Sequence, residues 1–233
     1  MLPKLIHHIV GPNKNKIVLQ CLSSWEVLIE QGFEIMIWDD DSLSGFISEN
    51  YPFALSAFST ARNHAEAADI GRYLVVYHFG GHYYDWDIQL LEQDLFLNLS
   101  NTSPNGFLLE DPTDGSIASE AFSAMKAEPY LISLVRDIVG IYNSGMRDEI
   151  RTLYYSGPFR MRDALKIHQN SSQKKLAVLD VFLYDYHQIK EMPDKHYVRP
   201  MIHYWLHSWI PKPEEVSDNT TESQTNSLTP LLH

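Results

Sequence analysis

The amino-acid sequence predicts an α/β fold in which a mostly parallel central sheet is flanked by helices. Strand-like and helix-like segments alternate along the N-terminal half of the chain. Of the 233 residues, 44% are hydrophobic and 12% aromatic, enough for one core of ordinary size. Acidic residues follow two predicted strands, where open α/β sheets bind ligands. We therefore predict one domain over residues 1–212 and a disordered acidic and polar tail over 213–233, because the tail lacks a periodic apolar pattern.

The first three elements follow from hydrophobic spacing. Residues 5–10 and 33–38 have strand patterns, and residues 16–31 have the spacing of an amphipathic helix. The inward positions of this helix are Val18, Leu22, Trp25, Leu28 and Ile29. The acidic run 39–41 ends the second strand. Because Asp and Ser favour helix N-termini, we expect this run to cap a short helix, with a contact to a ribose or a base as the alternative.

A second helix and strand follow at residues 66–91. Good helix formers fill residues 66–79, and Gly80 and Gly81 supply a left-handed stop. Residues 82–91 are rich in aromatic and branched side chains, which predicts a strand. Alternation along that strand puts Tyr83, Asp85 and Asp87 on one face. The two carboxylates are therefore expected to converge.

Two neighbouring carboxylates at a strand end repel each other unless water or a cation lies between them. Oxygen ligands favour Mg²⁺ or Mn²⁺ over zinc, and these ions commonly keep positions open for phosphates. Asp85 and Asp87 are thus candidate metal ligands, with two solvated carboxylates as the alternative.

Asp69 and Arg72 lie on the preceding helix, three residues apart, so their side chains share a face. Together they offer an acceptor and a forked donor to hydroxyls or phosphates. A surface ion pair is the alternative interpretation.

Joined in this order, residues 68–87 resemble the signature of glycosyltransferase family 32. That family contains fungal outer-chain mannosyltransferases and bacterial capsule and lipopolysaccharide glycosyltransferases, and it is related to the catalytic domain of the large clostridial toxins. Residues 2–9, 33–40, 155–165 and 202–209 resemble further blocks of the family in the expected order. Val10 stands where many relatives carry a tryptophan.

The resemblance implies a nucleotide-sugar-binding fold of the GT-A type and metal-dependent, retaining transfer of a hexose. The donor would be a uridine or guanosine diphosphate sugar, and the acceptor a glycan or lipid-linked glycan in surface polysaccharide synthesis, such as capsule or lipopolysaccharide. It implies catalytic roles for Asp69, Arg72 and Asp85, and Mn²⁺ or Mg²⁺ held by Asp85, Asp87 and His203. The donor-binding residues that it implies are Ile9, Val10, Asp69, Arg72, Tyr83, Asp85, Trp86, Gly157, Ser208 and Trp209.

Three alternatives stay open. An Asp-x-Asp pair also occurs in metal-dependent hydrolases, but there it follows the first apolar strand directly, whereas here it follows a helix and a Gly-Gly turn. A protein that binds a nucleotide sugar without turning it over is the second. The third is a zinc site, because His203 and His207 have the spacing of two ligands on one helix.

Charge is uneven along the chain, whose formal net charge is −12. Residues 126–212 are the basic part, with 13 Lys or Arg against 9 Asp or Glu. This block is the candidate to face an anionic acceptor or lipid headgroups, with a mixed solvated surface as the alternative. The acidic balance disfavours nucleic acid as a partner.

Cellular location is predicted from three further observations. The single cysteine, Cys21, excludes a disulfide framework and suits a reducing compartment. The N-terminus lacks the pattern of a secretion signal, and no segment approaches the roughly 20 apolar residues of a membrane span. We therefore expect a cytoplasmic protein with peripheral contact at the cytoplasmic face of a membrane.

Overall fold

The computed structural model describes residues 2–169 and 171–206. Its strands are β1 (Leu5–Ile9), β2 (Glu34–Trp38), β3 (Gly81–Tyr84), β4 (Ile88–Leu90), β5 (Phe107–Glu110), β6 (Ile117–Ala124), β7 (Lys174–Ala177) and β8 (Met201–His203). Its helices are α1 (Lys16–Ser24), α2 (Asp40–Asn50), α3 (Pro52–Ser59), α4 (His64–Phe79), α5 (Gln93–Asn101), α6 (Pro129–Asn143), α7 (Thr152–Tyr155), α8 (Pro158–His168) and α9 (Val178–Val181). Short 3₁₀ turns cover Glu26–Gln31, Arg147–Glu149 and Gln188–Lys190.

A six-stranded sheet in the order β2-β1-β3-β6-β5-β7 forms the centre of the fold. β1 is parallel to β2 and β3, and β5 is parallel to β7. Only β6 runs antiparallel to its neighbours β3 and β5. β4 and β8 form a separate two-stranded antiparallel sheet. The predicted α/β class with a mostly parallel central sheet is confirmed.

Two apolar clusters cover the two faces of the sheet. The larger cluster joins α2, α3, α4, α6 and α8 and contains the buried rings of Tyr73, Phe122 and Tyr130. The second cluster centres on Trp25, whose ring stacks on Tyr84 with centroids 4.4 Å apart. α4 is therefore buried along most of its length, which fixes the polar side chains that it carries.

Helix ends follow the local signals in the sequence. Asp39 is the N-cap of α2 and accepts a hydrogen bond from the Ser42 amide at 2.9 Å, so the capping interpretation of the acidic run holds for this residue. Gly80 and Gly81 end α4 with φ of +73° and +98°. A Cβ on Gly81 would lie 2.5 Å from the Leu5 carbonyl oxygen, so only glycine lets β3 pair so closely with β1.

Two predicted elements differ from the structure. The helix expected over 16–31 ends at Ser24 and continues as a 3₁₀ turn over Glu26–Gln31. This turn changes the residue spacing, so Ile29, predicted to face inward, is 56% exposed. The strand expected over 82–91 is two strands, because β3 ends at Tyr84 and β4 begins at Ile88. Asp85 and Asp87 therefore lie on the turn between two sheets.

Among the described residues, no helix combines the length and the apolar character needed to cross a bilayer.

Candidate active site

The turn 85–87 is held by backbone hydrogen bonds to both sheets. The Asp85 amide donates to the Glu120 carbonyl on β6 at 2.9 Å. The Tyr204 amide, just after β8, donates to the Asp87 carbonyl at 3.1 Å. Hydrogen bonds to β6 and to the residue after β8 thus fix the conformation of the turn. They hold the Asp85 and Asp87 carboxylates close to each other.

Asp85, Asp87 and His203 form the candidate metal centre. One ligand atom from each lies within 4.8 Å of the others, the one such group among residues 2–169 and 171–206. His203 Nε2 lies 3.2 Å from Asp87 Oδ1, and the Leu206 amide donates to Asp87 Oδ2 at 2.8 Å. Two carboxylates and one imidazole suit a divalent ion such as Mn²⁺. These residues fit the implied metal, and the structure brings together the three predicted ligands.

The ionisable groups of this centre differ in their proton affinity. Burial raises the pKa of Asp85, although Arg72 offsets part of the effect. Burial also acts to raise the pKa of Asp87, but His203 and the Leu206 amide outweigh it and hold that pKa below its ordinary value. Burial disfavours the charged form of His203, yet the carboxylate of Asp87 prevails and raises the pKa of the imidazole. Asp87 and His203 therefore form a buried ion pair.

Arg72 links α4 to the metal centre. Its Nη1 lies 3.0 Å from Asp85 Oδ1 and donates to the Ser119 carbonyl at 2.8 Å, and its Nε lies 3.5 Å from Asp69 Oδ1. The guanidinium also stands over the Tyr83 ring, 4.7 Å from the centroid. Asp69 and Arg72 are each only 4% exposed, so the alternative of a surface ion pair is wrong.

Asp69 carries the second polar feature of α4. Its Oδ2 accepts a hydrogen bond from the Ser156 hydroxyl at 2.7 Å, and burial raises the pKa of Asp69 to about 6 despite the nearby Arg72. Gly157 lies beside it, because a Cβ there would be 3.6 Å from Asp69 Oδ2. Ser156 and Gly157 precede α8, so the block predicted around residue 157 lies against the predicted catalytic aspartate.

The remaining predicted donor residues lie in different environments. The Tyr83 hydroxyl donates to Asp85 Oδ1 at 2.6 Å. Trp86 is partly exposed and covers Gly11, where a Cβ would lie 3.0 Å from the indole. Ile9 and Val10 are each 3% exposed at the end of β1.

Two predicted donor residues, Ser208 and Trp209, lie outside the described residues, as does His207. His203 itself lies on strand β8 and not on a helix, so it lacks the helical setting on which the zinc alternative depends.

A cavity of about 330 Å³ lies beside Trp86, lined in part by Asp40, Asn63 and His64. The His64 ring is 6.2 Å from the Trp86 ring, centroid to centroid, and His64 Nδ1 lies 3.4 Å from Asp40 Oδ1. Asp40 follows the end of β2, where the sequence suggested a contact to a ribose or a base. Trp86 itself, which stands between Asp85 and Asp87 in the chain, is linked to this cavity through the His64 ring.

Sequence reasoning missed Glu120 as a residue of the site. Its Oε1 lies 3.9 Å from His203 Nδ1, and its side chain is 18% exposed. Burial raises the pKa of this carboxyl. Glu120 is the one acidic residue in β6, where the other residues are Ile, Ala, Ser and Phe. A single carboxylate within such a strand was the feature of the sequence that could have indicated a functional residue. Ser156 was noted only as part of a family block and not as a partner of Asp69.

Comparison with known proteins adds independent evidence. Residues 16–105 match the family model described as "Glycosyltransferase sugar-binding region containing DXD motif". Inositol phosphoceramide mannosyltransferase 3 of Schizosaccharomyces pombe is 25% identical over 166 residues, which are 67% of this chain and 43% of that protein. Mannosyl phosphorylinositol ceramide synthase CSH1 of Saccharomyces cerevisiae is 24% identical over 147 residues, 59% of this chain and 35% of that protein. The chain thus spans less than half the length of these curated relatives.

A solved structure described as "PaToxG Glycosyltransferase" has the same fold. It superposes with a TM-score of 0.53 at 17% identity, covering 71% of this chain and 69% of that one. The family match and the shared fold together indicate a glycosyltransferase domain with a DXD motif. The resemblance to glycosyltransferase family 32 is confirmed, and residues 16–105 match the model of a sugar-binding region of that type.

The prediction of a cytoplasmic location is wrong. The relatives are named for mannosylation of inositol phosphoceramide, a lipid, so their acceptor resides in membranes and not in the cytoplasm. The prediction rested on a lone cysteine and on the lack of a signal segment and of a membrane-spanning segment. Because the chain covers only 43% of the first relative, the segments that determine location need not fall within it.

Proposed function

We propose that this chain transfers mannose from a nucleotide-diphosphate mannose to the inositol phosphate headgroup of a ceramide lipid. The observation that carries the proposal is the convergence of Asp85, Asp87 and His203 within 4.8 Å, on the same side as the buried pair of Asp69 and Arg72. The names of the yeast relatives support mannose as the sugar and inositol phosphoceramide as the acceptor. They do not support a role in capsule or lipopolysaccharide synthesis.

The donor diphosphate would meet the metal centre. A divalent ion, Mn²⁺ or Mg²⁺, bound by Asp85, Asp87 and His203 supplies Lewis-acid neutralisation of the leaving diphosphate. Asp87 is held for this role by the Leu206 amide and by His203. Asp85 is held by Arg72 and by the Tyr83 hydroxyl. The protein therefore orients both carboxylates before a donor arrives, which lowers the cost of binding.

The sugar would lie against Asp69. Its Oδ2 accepts from Ser156 and its Oδ1 lies 3.5 Å from Arg72 Nε, and the second lone pair of each oxygen would accept from sugar hydroxyls and orient the anomeric carbon. Gly157 leaves room for close approach because it has no Cβ, and a Cβ there would occupy space 3.6 Å from Asp69 Oδ2. The buried Arg72 acts mainly by holding Asp69 and Asp85, since its Nε and Nη1 atoms already have partners.

The transfer step would retain the anomeric configuration, as the family resemblance implies. The bond between the anomeric carbon and the diphosphate oxygen breaks, and its electron pair stays on the leaving oxygen. The acceptor hydroxyl oxygen bonds to the same face of the anomeric carbon, and its proton passes to the departing phosphate oxygen. This route gives an α-linkage without a covalent enzyme intermediate.

The nucleoside would occupy the cavity beside Trp86. A volume of about 330 Å³ accommodates a base and a ribose, and the partly exposed Trp86 indole, 6.2 Å from the ring of the lining residue His64, would offer a stacking face. Asp40, Asn63 and His64 supply polar groups along its wall. Trp86 would thus supply the aromatic side chain that Val10 lacks, at the position where many relatives carry a tryptophan.

The acceptor headgroup would meet the aromatic segment 182–199, in which three Lys or Arg are matched by three Asp or Glu. Lys195 stands over the rings of Tyr184 and Tyr197, and Arg199 also stands over Tyr197. This segment borders the metal centre, because Phe182 contacts the rings of both His203 and Trp205. Cations beside the site favour an anionic headgroup.

The test is a donor and acceptor panel on the purified chain with Mn²⁺. We expect mannose release from guanosine diphosphate mannose, little from uridine diphosphate sugars, and transfer to inositol phosphoceramide in mixed micelles. Proton NMR of the product should show an α-linkage. Tight donor binding without turnover would favour a non-catalytic sugar-nucleotide-binding protein. Cleavage of simple phosphate esters would favour a hydrolase.

A further inference from the structure

The imidazole of His203 lies between two carboxylates. Its Nε2 is 3.2 Å from Asp87 Oδ1, and its Nδ1 is 3.9 Å from Glu120 Oε1. His203 is 4% exposed, and its Nδ1 is a buried polar atom without a hydrogen-bond partner among the described residues. A buried ring nitrogen without a hydrogen-bond partner costs free energy. The Glu120 carboxylate, 3.9 Å away, is the group beside Nδ1 that can serve as that partner.

Glu120 is held in place by the same strand that holds the metal-binding turn. Its carbonyl accepts the Asp85 amide at 2.9 Å, and the next residue, Ala121, pairs with Tyr84 across β3 and β6. The carboxylate therefore projects from a rigid strand next to the turn. It lies on the Nδ1 side of His203. Glu120 itself is not one of the three candidate metal ligands, which are Asp85, Asp87 and His203.

Trp205 restricts the His203 ring from one face. The two ring centroids are 4.1 Å apart with planes at 31°. Trp205 adopts φ of +45°, a left-handed conformation that is unfavourable for a residue with a Cβ and persists only where the surroundings enforce it. Trp205 covers one face of the His203 ring, and Nε2 of that ring points to Asp87. The group that Nδ1 contacts therefore completes the positioning of the imidazole.

We propose that Glu120 is a positioning residue for His203 in the metal-bound enzyme. Its carboxylate accepts the Nδ1 hydrogen of His203, so the lone pair of Nε2 is directed to the metal. A short side-chain adjustment from 3.9 Å brings the two atoms to hydrogen-bond distance. Metal-bound histidines commonly donate their other ring hydrogen to a carboxylate, which fixes the tautomer and strengthens the ligand.

The experiment measures Mn²⁺ affinity of the full chain by electron paramagnetic resonance, without donor. Glu120→Ala removes the acceptor, and we expect binding roughly 10–100-fold weaker. Glu120→Gln keeps an acceptor oxygen without charge and should fall between Ala and wild type. Glu128→Gln is the matched control. Glu128 is a buried glutamate just before α6, and its carboxylate accepts a hydrogen bond from the Ser172 hydroxyl. It should bind Mn²⁺ as wild type does.

A second measurement separates positioning from general destabilisation. Electron spin echo of bound Mn²⁺ detects nitrogen from a coordinated imidazole, and we expect this signal in wild type and Glu128→Gln but a weakened one in Glu120→Ala. Unchanged affinity and nitrogen signal in Glu120→Ala would overturn the proposal. So would a loss in Glu120→Gln as complete as in Asp87→Asn, because Glu120 would then be a direct ligand.

This inference rests on the proposed function only through the metal centre. Mannose transfer by the wild-type chain is measured separately. Absence of transfer with normal metal binding would count against the proposed reaction and leave the role of Glu120 standing. Absence of a nitrogen signal in wild type would count against Glu120 and leave the transferase assignment standing.

Discussion

Arg72 Nη1 lies 3.0 Å from Asp85 Oδ1, so the first aspartate of the DXD motif is joined to helix α4 by an ion pair in which the arginine is buried and the aspartate partly exposed. The second aspartate, Asp87, instead pairs with His203 from β8. The two carboxylates therefore have different partners and different proton affinities, although only one residue separates them. Their substitutions should have different effects.

Asp87→Asn is expected to abolish transfer while the fold remains. The substitution removes the carboxylate that pairs with His203 and receives the Leu206 amide, so the loss of Mn²⁺ affinity should exceed the roughly 10–100-fold typical of outer-shell residues. Isothermal titration with Mn²⁺ and donor hydrolysis measure both effects. Asp94→Asn, at an exposed site in α5, is the control and should match wild type. Activity that persists in Asp87→Asn or in excess chelator would refute the metal assignment.

Arg72→Lys should be nearly as damaging as Arg72→Ala. The buried guanidinium contacts Asp85, Asp69 and the Ser119 carbonyl at once, and a lysine ammonium cannot reproduce that fork. Breaking a buried pair of this kind costs about 3–5 kcal/mol. Thermal melting and donor hydrolysis check the result. Arg162→Lys, which alters a more exposed pair with Asp163, should shift the melting temperature by under ~2 °C. Near-normal turnover by Arg72→Lys would show that a simple charge suffices.

Local sequence patterns were enough to predict α4, its glycine stop and the chemistry of the motif that follows. These features depend on residues within one or two turns of each other. The strand predicted after Gly81 was too long, because the chain leaves the main sheet at Asp85 and pairs again with β8. Nothing local to residues 82–91 encodes that second partner.

Long-range contacts in the site were predicted only where the family resemblance supplied them. His203 was expected as a metal ligand for that reason, and the structure places it beside Asp87. Glu120 and the bond from Ser156 to Asp69 were missed, because each depends on how distant strands and helices pack. Ile29 was misplaced because a 3₁₀ turn replaces the last part of the predicted helix.

Acidification should destabilise the fold through three buried histidines. Burial lowers the pKa of His7 to about 4, of His8 to about 4 and of His82 to about 3. The groups facing them are mostly uncharged. His7 accepts a hydrogen bond from Trp38 and contacts the Gly80 carbonyl. His8 contacts the Tyr84 carbonyl and the Trp25 ring, and His82 contacts the Tyr84 and Ser100 hydroxyls.

The sign follows from the lowered folded pKa values. Above the ordinary pKa of about 6.5, these histidines are neutral in both states and cost nothing. As pH falls below 6.5 the unfolded chain takes up protons that the folded chain refuses, so stability is lost from there down to about pH 4, by up to ~1.4 kcal/mol per pH unit for each group. Denaturant unfolding at pH 7.5, 6.5, 5.5 and 4.5 measures the slope. His8→Leu should reduce the slope, and the exposed His187→Gln should not. The raised pKa values of Asp69, Asp85 and Glu120 act in the opposite direction on the wild-type slope, so the test is the difference between proteins: equal slopes in His8→Leu and wild type would contradict the assignment.

Three truncations of the chain after residue 204 should differ in their effects on stability, Mn²⁺ binding and donor turnover. Ending the chain after Pro213 should change neither melting temperature nor turnover, because the sequence beyond it cannot bury apolar surface. Ending it after Leu206 keeps the amide that holds Asp87 but removes Ser208 and Trp209, so Mn²⁺ affinity should persist while the KM for donor rises.

Ending the chain after Tyr204 should be severe, because it removes both the Leu206 amide and the Trp205 ring that covers His203. Loss of a well-buried large aromatic costs about 3–5 kcal/mol, and Trp205 is only partly buried, so the effect on melting should be smaller than that on Mn²⁺ binding. Melting curves, Mn²⁺ titration and donor hydrolysis on the same three proteins decide the order. If the Tyr204 truncation binds Mn²⁺ as tightly as the Leu206 truncation, the contact from Leu206 to Asp87 does not support the metal centre.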